Sequence, residues 1–215
     1  MSLTYFPTVF WFEVLSLAIS IAVINRLRAS FLIYIVPMLA ITVICEGIGT
    51  YYKFVLREQN GWIYNIVTLV QVSFWLFLFR QLIEGQLVKR VSVTLIAAFL
   101  LFSIVNLVVI QGPYAFNNYT LIAGSAIIIF QSCLYLFQYQ ASGKDVVVLK
   151  DPTFYLASGP LFFFAGTFVY FSLYHYSPAL LSASNSRLFG MILINLNIIY
   201  YVFISIGLLF TNKTR

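Results

Sequence analysis

Two carboxylates stand inside long apolar runs: Glu13 in Phe10-Trp11-Phe12-Glu13-Val14-Leu15, and Glu46 in Val43-Ile44-Cys45-Glu46-Gly47-Ile48-Gly49-Thr50. Paired acids serve general acid and base chemistry when their surroundings keep one protonated and the other ionised. Carboxylates inside a membrane span are in any case functional candidates whose partners have to be found. Amide, imidazole and phenol side chains join them in the apolar runs: Asn65, Gln71, Asn106, Gln131, His175, Asn195, Asn197 and Tyr201.

Other chemistries have no residues to carry them. A metal-dependent membrane hydrolase generally needs three or more His, Asp or Glu ligands, and the chain has one His in all and only two carboxylates within its apolar runs. No metal and no cofactor is expected. No Gly-x-Ser-x-Gly elbow marks a nucleophilic serine and no glycine loop cradles a phosphate. The last apolar run has no Lys, which excludes a retinal Schiff base there.

The elements that must position these residues are membrane helices. Of 215 residues, 62% are hydrophobic, 19% aromatic and only 8% charged, whereas about a quarter of a globular chain is charged. A span needs roughly 20 apolar residues. Seven runs reach that scale: 8 to 25, 31 to 50, 62 to 82, 92 to 111, 119 to 139, 153 to 174 and 188 to 210. The expectation is an all-α membrane protein, a single seven-transmembrane-helix bundle with short connections and no soluble domain. The stretch before the first run carries no Lys or Arg, so it lacks a signal peptide's basic region and helix 1 is expected to be retained. Cys45 and Cys133 fall at different depths, which disfavours a disulfide between them. Lys150-Asp151-Pro152-Thr153 reads as a helix start, with Asp at the N-cap and Pro at the first helical position.

The net charge of +6 does not point to nucleic acid, because the basic residues sit at helix ends. Nine of the twelve, Arg26, Arg28, Arg80, Lys89, Arg90, Lys144, Lys150, Lys213 and Arg215, fall on one side; Lys53, Arg57 and Arg187 fall on the other. Short basic connections stay in the cytoplasm, which places the N-terminus outside and the C-terminus inside a bacterial inner membrane.

Residues three or four apart share a helix face. Glu13, Ser16 and Ser20 form one stripe. Thr42, Glu46, Gly49 and Thr50 form another, and Asn65, Thr68, Gln71 and Trp75 a third. Gly159, Phe163, Gly166, Tyr170 and Tyr174 line helix 6, and Gly190, Asn197, Tyr201 and Ser205 line helix 7. Small and polar stripes of this kind also serve plain helix packing in lipid. By helical rise Glu13 and Glu46 each lie about 8 Å inside the outer ends of their helices. Asn65, Asn106, His175, Asn195 and Asn197 reach a similar outer level. This coincidence of depth predicts an outward-facing polar crevice formed by Glu13, Glu46, Asn65, Asn106, His175, Asn195 and Asn197, with Gln71, Gln131 and Tyr201 as a deeper polar path.

Gly61-Trp62-Ile63-Tyr64-Asn65-Ile66, Phe116-Asn117-Asn118-Tyr119-Thr120 and Leu149-Lys150-Asp151-Pro152-Thr153-Phe154-Tyr155, together with Glu46 near the end of helix 2, carry a resemblance over nearly the whole chain. It resembles a group of small seven-helix integral membrane proteins common in Bacteroidota, which has no established activity. Phe154-Tyr155 stands where that group has Phe-Trp, and Pro160 is an addition. The resemblance implies a membrane location and not a mechanism, although proteins of that group look like neighbours or sensory partners of signalling kinases. The leading expectation is a non-enzymatic sensor or scaffold, with the bilayer around it and a membrane or cytoplasmic protein, or a second copy, as partner. A small-solute transporter or channel is the alternative, and a lipid-modifying enzyme using Glu13 and Glu46 the third.

Overall fold

A computed structural model of the chain describes residues 7–28, 30–141, 148–176 and 183–211, with the backbone alone at 175–176 and 183–187. Lys144, Lys213 and Arg215, and the side chains of His175, Tyr176 and Arg187, therefore lie outside the described residues. The elements are α1 (Thr8–Ala22), α2 (Ile35–Tyr51), α3 (Gly61–Leu82), α4 (Gln86–Val105), α5 (Asn118–Ala141), α6 (Pro152–Tyr176) and α7 (Ala183–Phe210). No strand occurs among the described residues. Among the described residues six helices are long and apolar enough to cross a membrane, and the chain is a multi-pass membrane protein.

The first helix corrects the expectation of seven full spans. It has 15 residues, about 22 Å at the helical rise, against a hydrocarbon core of about 30 Å. Its ladder breaks at Val23, where φ is −98° and ψ is 10°, and a single further turn, Ile24–Leu27, follows. The second span is longer than its central α-helix. A 3-10 turn, Phe31–Tyr34, leads into α2 and a π turn, Tyr52–Leu56, extends it. Arg57, with φ 57°, then stops the helix in the left-handed region. A second π turn, Asn106–Ile110, extends α4, which starts six residues before the expected position.

The start of α6 is as the sequence predicts. Asp151 Oδ1 accepts from the Thr153 amide at 2.8 Å and from Thr153 Oγ1 at 2.6 Å, and that hydroxyl accepts in turn from the Tyr135 hydroxyl of α5 at 2.6 Å. The cap thus ties two helices together. Asp151→Ala is expected to destabilise the fold by about 1 kcal/mol, the usual worth of an N-cap, read from unfolding in mixed SDS micelles. An effect below a few tenths of that would mean that the cap is redundant.

The long helices close into a ring. In order around it, α1 packs on α2, α2 on α3, α3 on α5, α5 on α6, α6 on α7, and α7 returns to α1. Helix α4 stands outside, touching only α3 and α5 among the closely packed pairs. Just 17% of its most apolar stretch is buried, against 56% for α3, so α4 shows most of its surface to lipid or to a partner. Small residues set the closest approaches, as expected where helices associate without a hydrophobic driving force. A Cβ on Gly159 of α6 would sit 2.8 Å from the Phe203 Cβ of α7, and one on Gly124 of α5 would sit 2.7 Å from a Val72 methyl of α3. The expected stripe on α1 is the buried one: Glu13, Ser16 and Ser20 all face inward. Ser16 donates to the Tyr201 carbonyl at 3.0 Å and pairs with Ser205 at 2.9 Å, which fastens α1 to α7.

Candidate functional site

A cavity of about 260 Å³ occupies the axis of the ring. It lies toward the end that carries the α2–α3 and α4–α5 connections, here called the Asn60 end. All six ring helices contribute to it, and α4 does not. Glu13 enters from α1, Thr42 and Glu46 from α2, Tyr64, Thr68 and Gln71 from α3, Thr167 from α6, and Asn197 and Tyr201 from α7. The opposite wall is aromatic: Phe163, Phe164 and Phe171 of α6, with Phe116 from the α4–α5 connection. Small-molecule sites have this make-up, an apolar surround with a few convergent polar groups, and typically span about 300–1,000 Å³. This one suits a small ligand.

The two acids share the cavity. Glu13 and Glu46 are near enough for their charges to interact; Glu13 stands beside the Tyr201 hydroxyl and Glu46 beside the Tyr64 hydroxyl. Glu13 is only 4% exposed, and its Oε2 has no hydrogen-bond partner. The Gln71 amide donates to Thr42 Oγ1 at 3.2 Å and to the Tyr201 hydroxyl at 3.3 Å, bridging α2, α3 and α7 at the inner end of the cavity. Asn197 Oδ1 is likewise buried without a partner.

One turn deeper the interior is solid. Trp75 Nε1 donates to the Tyr200 hydroxyl at 2.7 Å, and their rings meet edge to face at 5.9 Å. Phe163 stacks on Tyr200 at 4.9 Å. Trp75, Leu76, Phe79, Tyr200 and Ile204 are fully buried. On α3 the cavity lining runs from Tyr64 to Val72, about 5 to 17 Å along a helix of about 33 Å at the standard rise. The cavity therefore reaches about half the depth of the bundle and ends on this aromatic floor.

Comparison of the chain with family models, with curated proteins and with solved structures finds no match. The cavity has to be read from its own residues.

Of the residues expected in the crevice, Glu13, Glu46 and Asn197 line this cavity, and Gln71 and Tyr201 of the expected deeper path join them. Four do not. Asn65 turns to the α4–α5 connection, donating to the Pro113 and Ala115 carbonyls at 3.2 and 2.8 Å and accepting from the Asn117 amide at 2.8 Å. It is a staple for irregular backbone. Asn106, fully buried, donates to Gln111 Oε1 at 2.9 Å and Thr120 Oγ1 at 2.8 Å, joining the π turn after α4 to α5. Asn195 bonds its own helix at the Met191 carbonyl, 3.0 Å away, on an exposed face. Gln131 is 1% exposed on α5 and does not line the cavity, so the deeper polar path has no continuation through it. The His175 side chain lies outside the described residues. Tyr64 and Thr167 are the polar cavity residues that sequence reasoning missed. Tyr64 reads as one more interfacial aromatic, and its only available signal is its place one turn before Thr68 on the α3 polar face.

Proposed function

We propose that this chain is a ligand-binding, sensor-like protein of a bacterial inner membrane, whose axial cavity receives a small molecule from the outer side and whose basic cytoplasmic connections pass the signal to a partner. The observation that carries this reading is the dead-ended cavity: polar groups from the ring helices converge above a fully buried Trp75–Tyr200 floor. A compartment of that shape holds a ligand; a transport path would need polar lining below the floor. The positive-inside rule supports the orientation, with N-terminus outside, since Arg26, Arg80, Lys89, Arg90 and Lys150 lie at the opposite end from Lys53 and Arg57. On this reading the 15-residue α1 is the seventh crossing, completed by the turn at Ile24–Leu27. The lipid-facing side of α4 offers a surface for a membrane partner or a second copy. The resemblance to Bacteroidota seven-helix proteins beside signalling kinases points the same way.

Cysteine labelling tests the reading. Cys45 is buried and Cys133 exposed, and both are free thiols, so both are first replaced by Ala. Val67→Cys then puts a thiol on the cavity wall. Membrane-impermeant methanethiosulfonates are expected to modify it in vesicles from the Asn60 side and not from the Arg80 side. Labelling from both sides would make the cavity part of a conduction path, and labelling from neither would remove the ligand-site reading.

A further inference from the structure

The cavity's lining is acidic and aromatic at once. Glu13 and Glu46 contribute two carboxyls to one small volume, while among the described residues no Lys, Arg or His lines it. Lys53 lies close enough to act on the Glu46 charge but is not part of the wall. Its ammonium is placed over the Phe54 ring at 5.4 Å. Glu13 is 4% exposed, and its Oε2 is buried with no donor. A buried acceptor without a partner costs free energy, more when it carries charge, and a native fold keeps one where something else completes it. The neighbouring phenols meet only part of this need: the Tyr201 hydroxyl, which accepts from Gln71, has one proton to donate to Glu13, and Oε2 is still left without a donor.

The facing wall narrows the chemistry of the missing partner. Phe163, Phe164 and Phe171, with Phe116, present aromatic surface across the cavity from the acids, and Phe116 and Phe171 are 5.4 Å apart at their ring centres. Aromatic faces attract cations, most strongly where water is excluded. An anion would meet two carboxyls, and a neutral polar molecule could complete the hydrogen bond at Glu13 without drawing on the aromatic faces. A cation with an apolar body satisfies both walls.

We infer that the cavity binds a small organic cation, an amine or quaternary ammonium, with the positive nitrogen between Glu13 and Glu46 and the apolar part against the phenylalanine wall. The inference rests on the cavity being a ligand site reached from one side, so its test is built on the same Val67→Cys thiol and remains separable from that reading.

Two probes of similar size and opposite charge are compared at that thiol, trimethylammonioethyl and sulfonatoethyl methanethiosulfonate, each rate divided by its rate with 2-mercaptoethanol. The cationic reagent is expected to be favoured by roughly tenfold or more, the scale of a charge-assisted contact, and Glu13→Gln and Glu46→Gln should each shrink that preference. In the same assay 2-phenylethylammonium is expected to protect the thiol saturably, with 2-phenylethanol at least about tenfold weaker and phenylacetate without effect. Glu46 is only half-buried, so Glu46→Gln keeps the test readable if Glu13→Gln folds poorly. Equal normalised rates, a preference that survives both substitutions, or protection by the alcohol as good as by the amine would each overturn the cation assignment. Those outcomes leave the ligand site standing, because the thiol is still labelled from one side. A thiol that neither reagent reaches would fail the ligand site itself and the cation assignment with it.

Discussion

Trp75→Ala is expected to destabilise the bundle by about 3–5 kcal/mol, the range for removing a large buried aromatic. Trp75 is fully buried, touches Phe74 edge to face at 5.1 Å and Tyr200 at 5.9 Å, and donates the indole hydrogen bond to Tyr200. In lipid the apolar transfer term between helices is small, so the loss comes from packing contacts and from the void. Trp75→Phe separates the two contributions: it keeps an aromatic ring and deletes the indole donor, at an expected cost of about 1 kcal/mol. Both are read from reversible unfolding in mixed SDS micelles. The functional consequence is larger than the energetic one. With the floor removed, Val67→Cys should become reachable from the Arg80 side as well, and a stable Trp75→Ala protein that still excludes reagent from that side would mean the cavity is sealed elsewhere.

Gly61→Val carries the second large effect. The first turn of α3 passes directly beneath the α4–α5 connection, and a Cβ at position 61 would lie 2.8 Å from the Tyr114 carbonyl oxygen, 3.0 Å from the Phe116 amide nitrogen and 3.3 Å from the Ala115 carbonyl carbon. Those are backbone atoms, and the Asn65 staple holds them in place. Neither side can yield by changing a rotamer. Overpacking of this kind costs about 1–3 kcal/mol, and valine is expected at the upper end. The connection also carries Phe116 into the cavity wall, so Gly61→Val should raise the labelling rate at Val67→Cys along with its cost in stability. A fall in stability without a change in cavity access would show that Phe116 holds its place without the staple.

The residues that the sequence located correctly share one property: their depth and face follow from counting along a regular helix. Glu13, Glu46, Gln71, Asn197 and Tyr201 each sit on a polar stripe of a ring helix; the first two share an outer level with Asn197, while Gln71 and Tyr201 lie deeper, and the cavity spans both levels. Asn65 and Asn106 have equally suitable depth, yet their partners lie in irregular backbone at 113–117 and around the π turn at 106–110, where no periodicity announces a contact. Asn195 and Asn197 are two residues apart and so point in different directions; the count gives their depth, and only the packing of α7 on α6 and α1 shows which one faces inward. Helix α4 illustrates the same limit. Its apolar sequence reads like that of any other span, and nothing in it says that α3 and α5 meet directly and leave it outside. The short α1 was hidden for a different reason, because the apolar run continues past the break at Val23 and hydropathy does not register a backbone turn.

The ring has a consequence for the order in which the protein is made. Ser16 of α1 reaches the Tyr201 carbonyl across 185 positions of sequence, so closure pairs two helices that are made far apart in time. Contacts between distant parts of a chain are slow to form because loop-closure entropy must be overcome first. Until α7 docks, the acid of Glu13 and the hydroxyls of Ser16 and Ser20 have no bundle interior to face. A nascent chain that stops short of α7 thus exposes its most polar stripe to the bilayer, and the cavity is complete only once α7 has docked.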